Sequence, residues 1–89
     1  MLKYFVYVIE NCSDKSWYIG YTSDINNRLV NHNTHSGGEY TKKRSDKWKM
    51  IYYEAYINKT DALSREKFLK SGSGRVFIKK QIKNYLAHP

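Results

Sequence analysis

The segment Lys3–Glu10, KYFVYVIE, limits the fold more than any other stretch of the chain. It is rich in aromatic and β-branched residues, which favours a strand. It is also apolar at both odd and even positions. A strand with one face in water alternates apolar and polar residues, so this one is predicted to run through the centre of a sheet with both faces covered. With 89 residues the chain has room for one domain, 1–89. A sheet covered on both sides therefore has to be small, and helices are the economical cover.

The rest of the chain reads in that light. Asn11–Ser16 (NCSDKS) is polar turn material, and Trp17–Tyr21 (WYIGY) reads as a second strand. So short a link favours an antiparallel hairpin. Thr22, Ser23 and Asp24 are candidate caps for a helix from Ile25 to about His35, with Ile25, Leu29 and His32 on one face. A basic, glycine-bearing loop follows from His35 to Asp46, then a third strand over Trp48–Ile57. Asn58 or Thr60 would cap a helix running to about Lys70. Ser71-Gly72-Ser73-Gly74 breaks that helix, with Gly72 suited to a left-handed end and Ser73 to the next cap. Arg75 to about Leu86 reads as a last helix that turns Ile78, Ile82, Tyr85 and Leu86 to one side. The expectation is an α+β domain: a three-stranded antiparallel sheet flanked by helices, in the order β-β-α-β-α-α.

Charge narrows the function. Sixteen Lys and Arg stand against eight Asp and Glu, for a net charge of +8. An excess of this size on so small a domain favours a polyanion, above all nucleic acid. The single cysteine, Cys12, excludes a disulfide framework within the chain and suits a reducing cytoplasm. The apolar start is too short for a signal peptide or a membrane span. Neither a structural zinc pattern nor a glycine-rich phosphate loop is present.

Five residues could carry chemistry. In TDALSREKFLK, Glu66 stands between Ala62 and Leu63 on one side and Leu69 and Lys70 on the other, in the middle of an apolar stripe. A carboxylate there needs compensation, which a hard divalent metal or a salt bridge to a basic residue would both supply. Arg28 and His32, four apart, share a helix face. Arginine suits a phosphate fork, and histidine suits proton transfer or a phosphate contact. Tyr7 and Tyr18 fall on adjacent strands, as packed core tyrosines or as a phenol made basic by a nearby cation. Lys42, Lys43 and Arg44 in the basic loop, with Lys70 and Arg75 around the helix break, are the candidate phosphate contacts.

In this order the pieces resemble the GIY-YIG nuclease family over nearly the whole chain. Phe5-Val6-Tyr7 stands at the family's first motif and Tyr18-Ile19-Gly20 is the second motif intact. Arg28 and His32 match the motif of the following helix, and Glu66 matches the family's metal-binding glutamate. Phe5 and Val6 replace the first motif's glycine and isoleucine. Asn84 is the only downstream candidate for an asparagine that many members carry, and its spacing is longer. The resemblance is to small single-domain bacterial members related to the amino-terminal nuclease domain of UvrC. It implies a one-metal DNA endonuclease, with branched or structured DNA in repair or processing as a candidate substrate. It further implies that Glu66 holds Mg²⁺ or Mn²⁺, Tyr7 serves as general base with Tyr18 beside it, Arg28 neutralises the phosphate, and His32 orients tyrosine or substrate. No organic cofactor and no membrane partner are expected, and an oligomer is left open. A nucleic-acid-binding module without turnover is the alternative reading.

Overall fold

The computed structural model describes residues 2–28 and 47–88. Strands β1 (Tyr4–Asn11), β2 (Trp17–Thr22) and β3 (Trp48–Tyr56) form one sheet in the order β2-β1-β3. Both pairings are antiparallel. A first helix, α1, opens at 25–28, followed after β3 by α2 (Lys59–Leu69), α3 (Gly72–Gln81) and α4 (Lys83–Ala87). The fold is the expected α+β arrangement, in the order β-β-α-β-α-α with the last helix in two pieces. Among the described residues no helix is long and apolar enough to cross a membrane.

β1 is central, as its two apolar faces require. Val6, Val8 and Ile9 are wholly buried and Tyr7 almost so. The pleat sends alternate residues to opposite sides. Val6 and Val8 join Ile19, Ala62, Leu69 and Ile78 in the larger core, beneath α2 and α3. Tyr7 and Ile9 join Trp48 on the other side, with Tyr18, Ile25 and Met50 packed against them. Burial at this scale, roughly 1.5–3 kcal/mol for each large side chain, fixes the register, because a one-residue slip would exchange the two faces. A bulge between Val8 and Ile9 adds one residue on β3, where Val8 pairs with Tyr52 and Ile9 with Met50. Phe5, at the glycine position of the first motif, lies on the Tyr7 side and meets the Tyr53 ring edge-on at 6.2 Å.

The caps decide where the helices begin. Asp24 opens α1, its carboxylate accepting the Asn27 amide at 3.2 Å. Asn58 opens α2, accepting the amides of Thr60 and Asp61 at 2.8 and 3.3 Å. The break between α2 and α3 differs from expectation. Gly72 is not left-handed: no glycine among the described residues has positive φ, and Lys70 ends α2 in right-handed geometry. Ser71, not Ser73, caps α3 by accepting the Gly74 amide at 3.1 Å. The glycine that the corner needs is Gly74, where a Cβ would run into the Phe68 carbonyl and the Leu69 backbone. The predicted last helix starts three residues early and breaks at Ile82, whose φ of −118° and ψ of 31° leave the helical region. Ile78 is buried, while Ile82, Tyr85 and Leu86 are half-buried, so the predicted inward side holds across the break.

Candidate active site

The site is assembled around Tyr7. Its Cα partner across the β1–β2 pair is Gly20, and the phenol lies directly over that glycine. A Cβ at position 20 would stand 2.5 Å from the Tyr7 hydroxyl and 2.6 Å from the ring carbon bearing it. Gly20 is there because the tyrosine occupies the space that any other side chain would take. Tyr18, two residues earlier and on the same face, brings its ring centroid to 6.3 Å from that of Tyr7 at a tilt of 40°. This is ordinary aromatic contact geometry.

Three further groups act on the Tyr7 hydroxyl. Burial holds its pKa well above the ordinary tyrosine value; neighbouring Tyr18 pushes the same way, Arg28 pulls down, and Glu66 pushes up again. Strand β1, strand β2, helix α1 and helix α2 thus each supply one residue of a set whose charges or dipoles bear on Tyr7. The net direction matters. Tyr7 holds its proton more tightly than an ordinary tyrosine.

Glu66 sits less deep than the periodicity implied. Ala62 and Leu69 are fully buried, but Leu63 is 41% exposed, so the apolar stripe of α2 is narrow and Glu66 lies on its border. Its side chain is 21% exposed and its Oε2 is 3.3 Å from the Lys70 ammonium, one turn on. The salt bridge that was one of two ways to compensate this carboxylate is thus present. The donor chemistry also suits a divalent ion. Glu66 offers a hard oxygen that solvent reaches, and among the described residues no cluster of three or more His, Cys, Asp or Glu could grip a metal by itself. A lone carboxylate fits an ion such as Mg²⁺, which retains several waters and takes its remaining oxygens from phosphate.

Beside this group lies an open groove of about 360 Å³ lined by Trp17, Tyr18, Ile19, Lys70 and Arg75. Of the predicted phosphate contacts, Lys70 and Arg75 are thus brought together, next to Tyr18. His32, Lys42, Lys43 and Arg44 lie outside the described residues. Asn84 is exposed on α4.

Two constellations escape a reading of the sequence. Glu54 on β3 receives hydrogen bonds from Tyr52 and Tyr56, both at 2.6 Å, and from Arg65 at 2.7 and 3.0 Å. The Arg65 guanidinium also stacks on Phe77 at 4.4 Å and Phe68 at 5.0 Å. Glu10, 4% exposed, accepts from the Trp17 indole at 3.0 Å and the Tyr85 hydroxyl at 2.6 Å. The available signal was a glutamate with a tyrosine two residues to either side, and a glutamate near the end of an apolar strand; neither names its partner.

A family model described as the GIY-YIG catalytic domain matches residues 3–81. The chain belongs to the GIY-YIG nuclease family. Its relatives include a UPF0213 protein of Staphylococcus epidermidis, 42% identical over 80% of this chain and 84% of that one. Another, from Limosilactobacillus reuteri, is 39% identical over 82% of this chain and 76% of its own length. The solution structure of a UPF0213 protein from Bacillus halodurans superposes with a TM-score of 0.51 at 32% identity, covering all of this chain and 89% of the other. The GIY-YIG residues that the family is named for correspond here to Phe5-Val6-Tyr7 and Tyr18-Ile19-Gly20, which meet at the Tyr7–Gly20 contact.

Proposed function

We propose that this GIY-YIG protein is a metal-dependent DNA endonuclease that hydrolyses one phosphodiester at a time, with Mg²⁺ or Mn²⁺ held by Glu66. The observation that carries the reading is Tyr7 packed over Gly20 with Tyr18 against its ring, where the charges of Arg28 and Glu66 also bear on the phenol. The net charge of +8 supplies the attraction for the substrate backbone.

In this reading Arg28 grips a phosphate oxygen and stabilises the charge that builds there. A water oxygen bonds to phosphorus as the bond to the leaving sugar oxygen breaks. Tyr7, once its own phenolic proton has passed to solvent, takes the water's proton as a phenolate, and the leaving oxygen takes one from solvent. Tyr18 packs against Tyr7 and keeps its hydroxyl in place, and His32 orients tyrosine or substrate. An ion held by Glu66 would polarise the phosphate and offset the Glu66 charge, a lesser cause of the raised Tyr7 pKa than burial and Tyr18. A cytoplasmic setting accords with the exposed, unpaired thiol of Cys12, and structured DNA in repair or processing is the proposed substrate.

The test is cleavage of branched, flapped and linear DNA with either metal. Glu66→Ala is expected to lower cleavage roughly 10³-fold or more, with DNA binding retained. Equal cleavage by wild type and variant would remove Glu66 from the site. The second reading, a binding module without turnover, is favoured by one observation: Lys70 already pairs with Glu66. DNA binding with no cleavage under either metal would select it.

A further inference from the structure

We propose that the groove beside the candidate site is a subsite for an unpaired nucleotide, with Trp17 as the platform for the base and Lys70 and Arg75 as contacts for its phosphates. This rests on the nuclease reading above and adds to it a substrate class: a strand with at least one unpaired nucleotide next to the bond that is cut.

The groove has the composition of a single-strand site. It joins aromatic surface, Trp17 and Tyr18, to two cations, Lys70 and Arg75. Single-stranded nucleic acid is held by that pairing, through base stacking on aromatic rings and charge along the backbone. Its volume of about 360 Å³ is at the lower end of small-molecule pockets, which run from about 300 to 1,000 Å³. A mononucleotide-sized group fits such a volume.

Trp17 is held ready for this role. Its indole N–H donates to Glu10 Oε2 at 3.0 Å, and Oε1 of the same carboxylate accepts from the Tyr85 hydroxyl at 2.6 Å. The polar edge of the indole is therefore satisfied inside the protein by a carboxylate anchored to α4. The ring itself stays half-buried at the groove, so solvent still reaches part of it. A ring fixed before binding loses little freedom when a base settles on it. The Arg75 guanidinium lies over the ring, 5.2 Å from its centroid, so a base stacks here by displacing that planar cation from the indole or by lying on its outer face.

Two residues tie the groove to the candidate site. Tyr18 lines the groove and packs against Tyr7. Lys70 lines the groove and pairs with Glu66. The groove thus adjoins residues that contact Tyr7 and Glu66. Within a duplex both faces of a base are covered by its neighbours, so only an unpaired nucleotide offers a face to Trp17. Stacking is tolerant of base identity, so the subsite selects for strandedness and not for sequence.

The experiment measures binding of labelled oligothymidylates in chelator, with one abasic nucleotide stepped along the strand. In parallel, Mn²⁺-dependent cleavage is followed on duplexes with and without a single unpaired nucleotide. Wild type should show one position where the abasic nucleotide weakens binding roughly ten-fold, the size of one lost stack. Trp17→Leu should bind the intact oligothymidylate as weakly as wild type binds that abasic one, with no further loss on combining the two. Cleavage of DNA with no abasic-sensitive position in wild type would overturn the subsite and leave the nuclease reading standing. An abasic-sensitive position without any cleavage would keep the subsite and remove the nuclease. The abasic series uses wild type alone, so the inference stays falsifiable if Trp17→Leu does not fold.

Discussion

Two glutamates of this chain sit twelve residues apart in sequence and live opposite lives. Around Glu54 every oxygen is engaged: two tyrosine hydroxyls and a two-pronged arginine converge on one carboxylate under the helices. Around Glu66, among the described residues, there is one longer contact, to the flexible ammonium of Lys70 at 3.3 Å, and an opening to solvent. The two regions are built by neighbouring residues of one helix. Arg65 and Glu66 flank the buried seam of Ala62 and Leu69, so Arg65 reaches β3 while Glu66 takes the other flank. A carboxylate whose hydrogen bonds are all met by protein is structural. One with lone pairs to spare can take a cation or a substrate group. The comparison thus separates an acid that holds the sheet to the helices from one that stays open to solvent.

That separation can be broken or sharpened by experiment. The largest effect expected is the one described above, loss of cleavage by about 10³-fold or more in Glu66→Ala. The same variant should melt within about 1 kcal/mol of wild type, because an exposed ion pair contributes little stability. Arg65→Ala should behave in the opposite way. Removing a bidentate partner leaves Glu54 partly buried with a charge that only tyrosines compensate, which costs about 2 kcal/mol of stability by chemical denaturation. A Glu66 variant that unfolds, or an Arg65 variant as stable as wild type, would undo the assignment of roles.

Acid should reveal the same contrast more gently. Burial pushes the Glu54 pKa up, but the bonds from Arg65, Tyr52 and Tyr56 outweigh it and hold the carboxyl below its ordinary value. Tyr52 and Tyr56 are in turn pushed up to about 12, by burial and then by their bonds to Glu54. A group whose folded pKa is depressed stabilises the protein above its ordinary pKa. That contribution is lost as pH falls from about 4.3 through the folded value. Glu54→Gln should flatten this acid limb of the stability profile, and an unchanged slope would show that Glu54 is not what titrates. The smallest effect is expected of Lys70→Ala. Stability should change by less than about 0.5 kcal/mol, while the salt dependence of DNA binding should lose a slope of about one. A steep loss of stability would mean that the pair with Glu66 is structural after all.

Legibility from sequence followed the range of the interactions. The central strand was readable because its periodicity is local and two-sided burial follows from it. The strand and helix order was readable for the same reason. The break at Ile82 was not, because no glycine or proline marks it and the apolar spacing continues across it. Assigning the corner cap to Ser73 failed because two serines and two glycines stand in a row, and only the contact with Phe68 and Leu69 selects Gly74 as the tight position and Ser71 as the cap.

For the site, the sequence by itself determined the residue types and their order: an upstream tyrosine, Tyr18-Ile19-Gly20, Arg28, and Glu66 on a helix. Those are local motifs, and their chemistry is carried in the side chains. Only the tertiary structure decided that Tyr7 lies over Gly20, that Arg28 and Glu66 act on the same hydroxyl, and that Trp17 is braced by Glu10 and Tyr85. These pairings join residues from 7 to 75 positions apart. No periodicity encodes such distances; they are set by how the two faces of β1 bury their side chains.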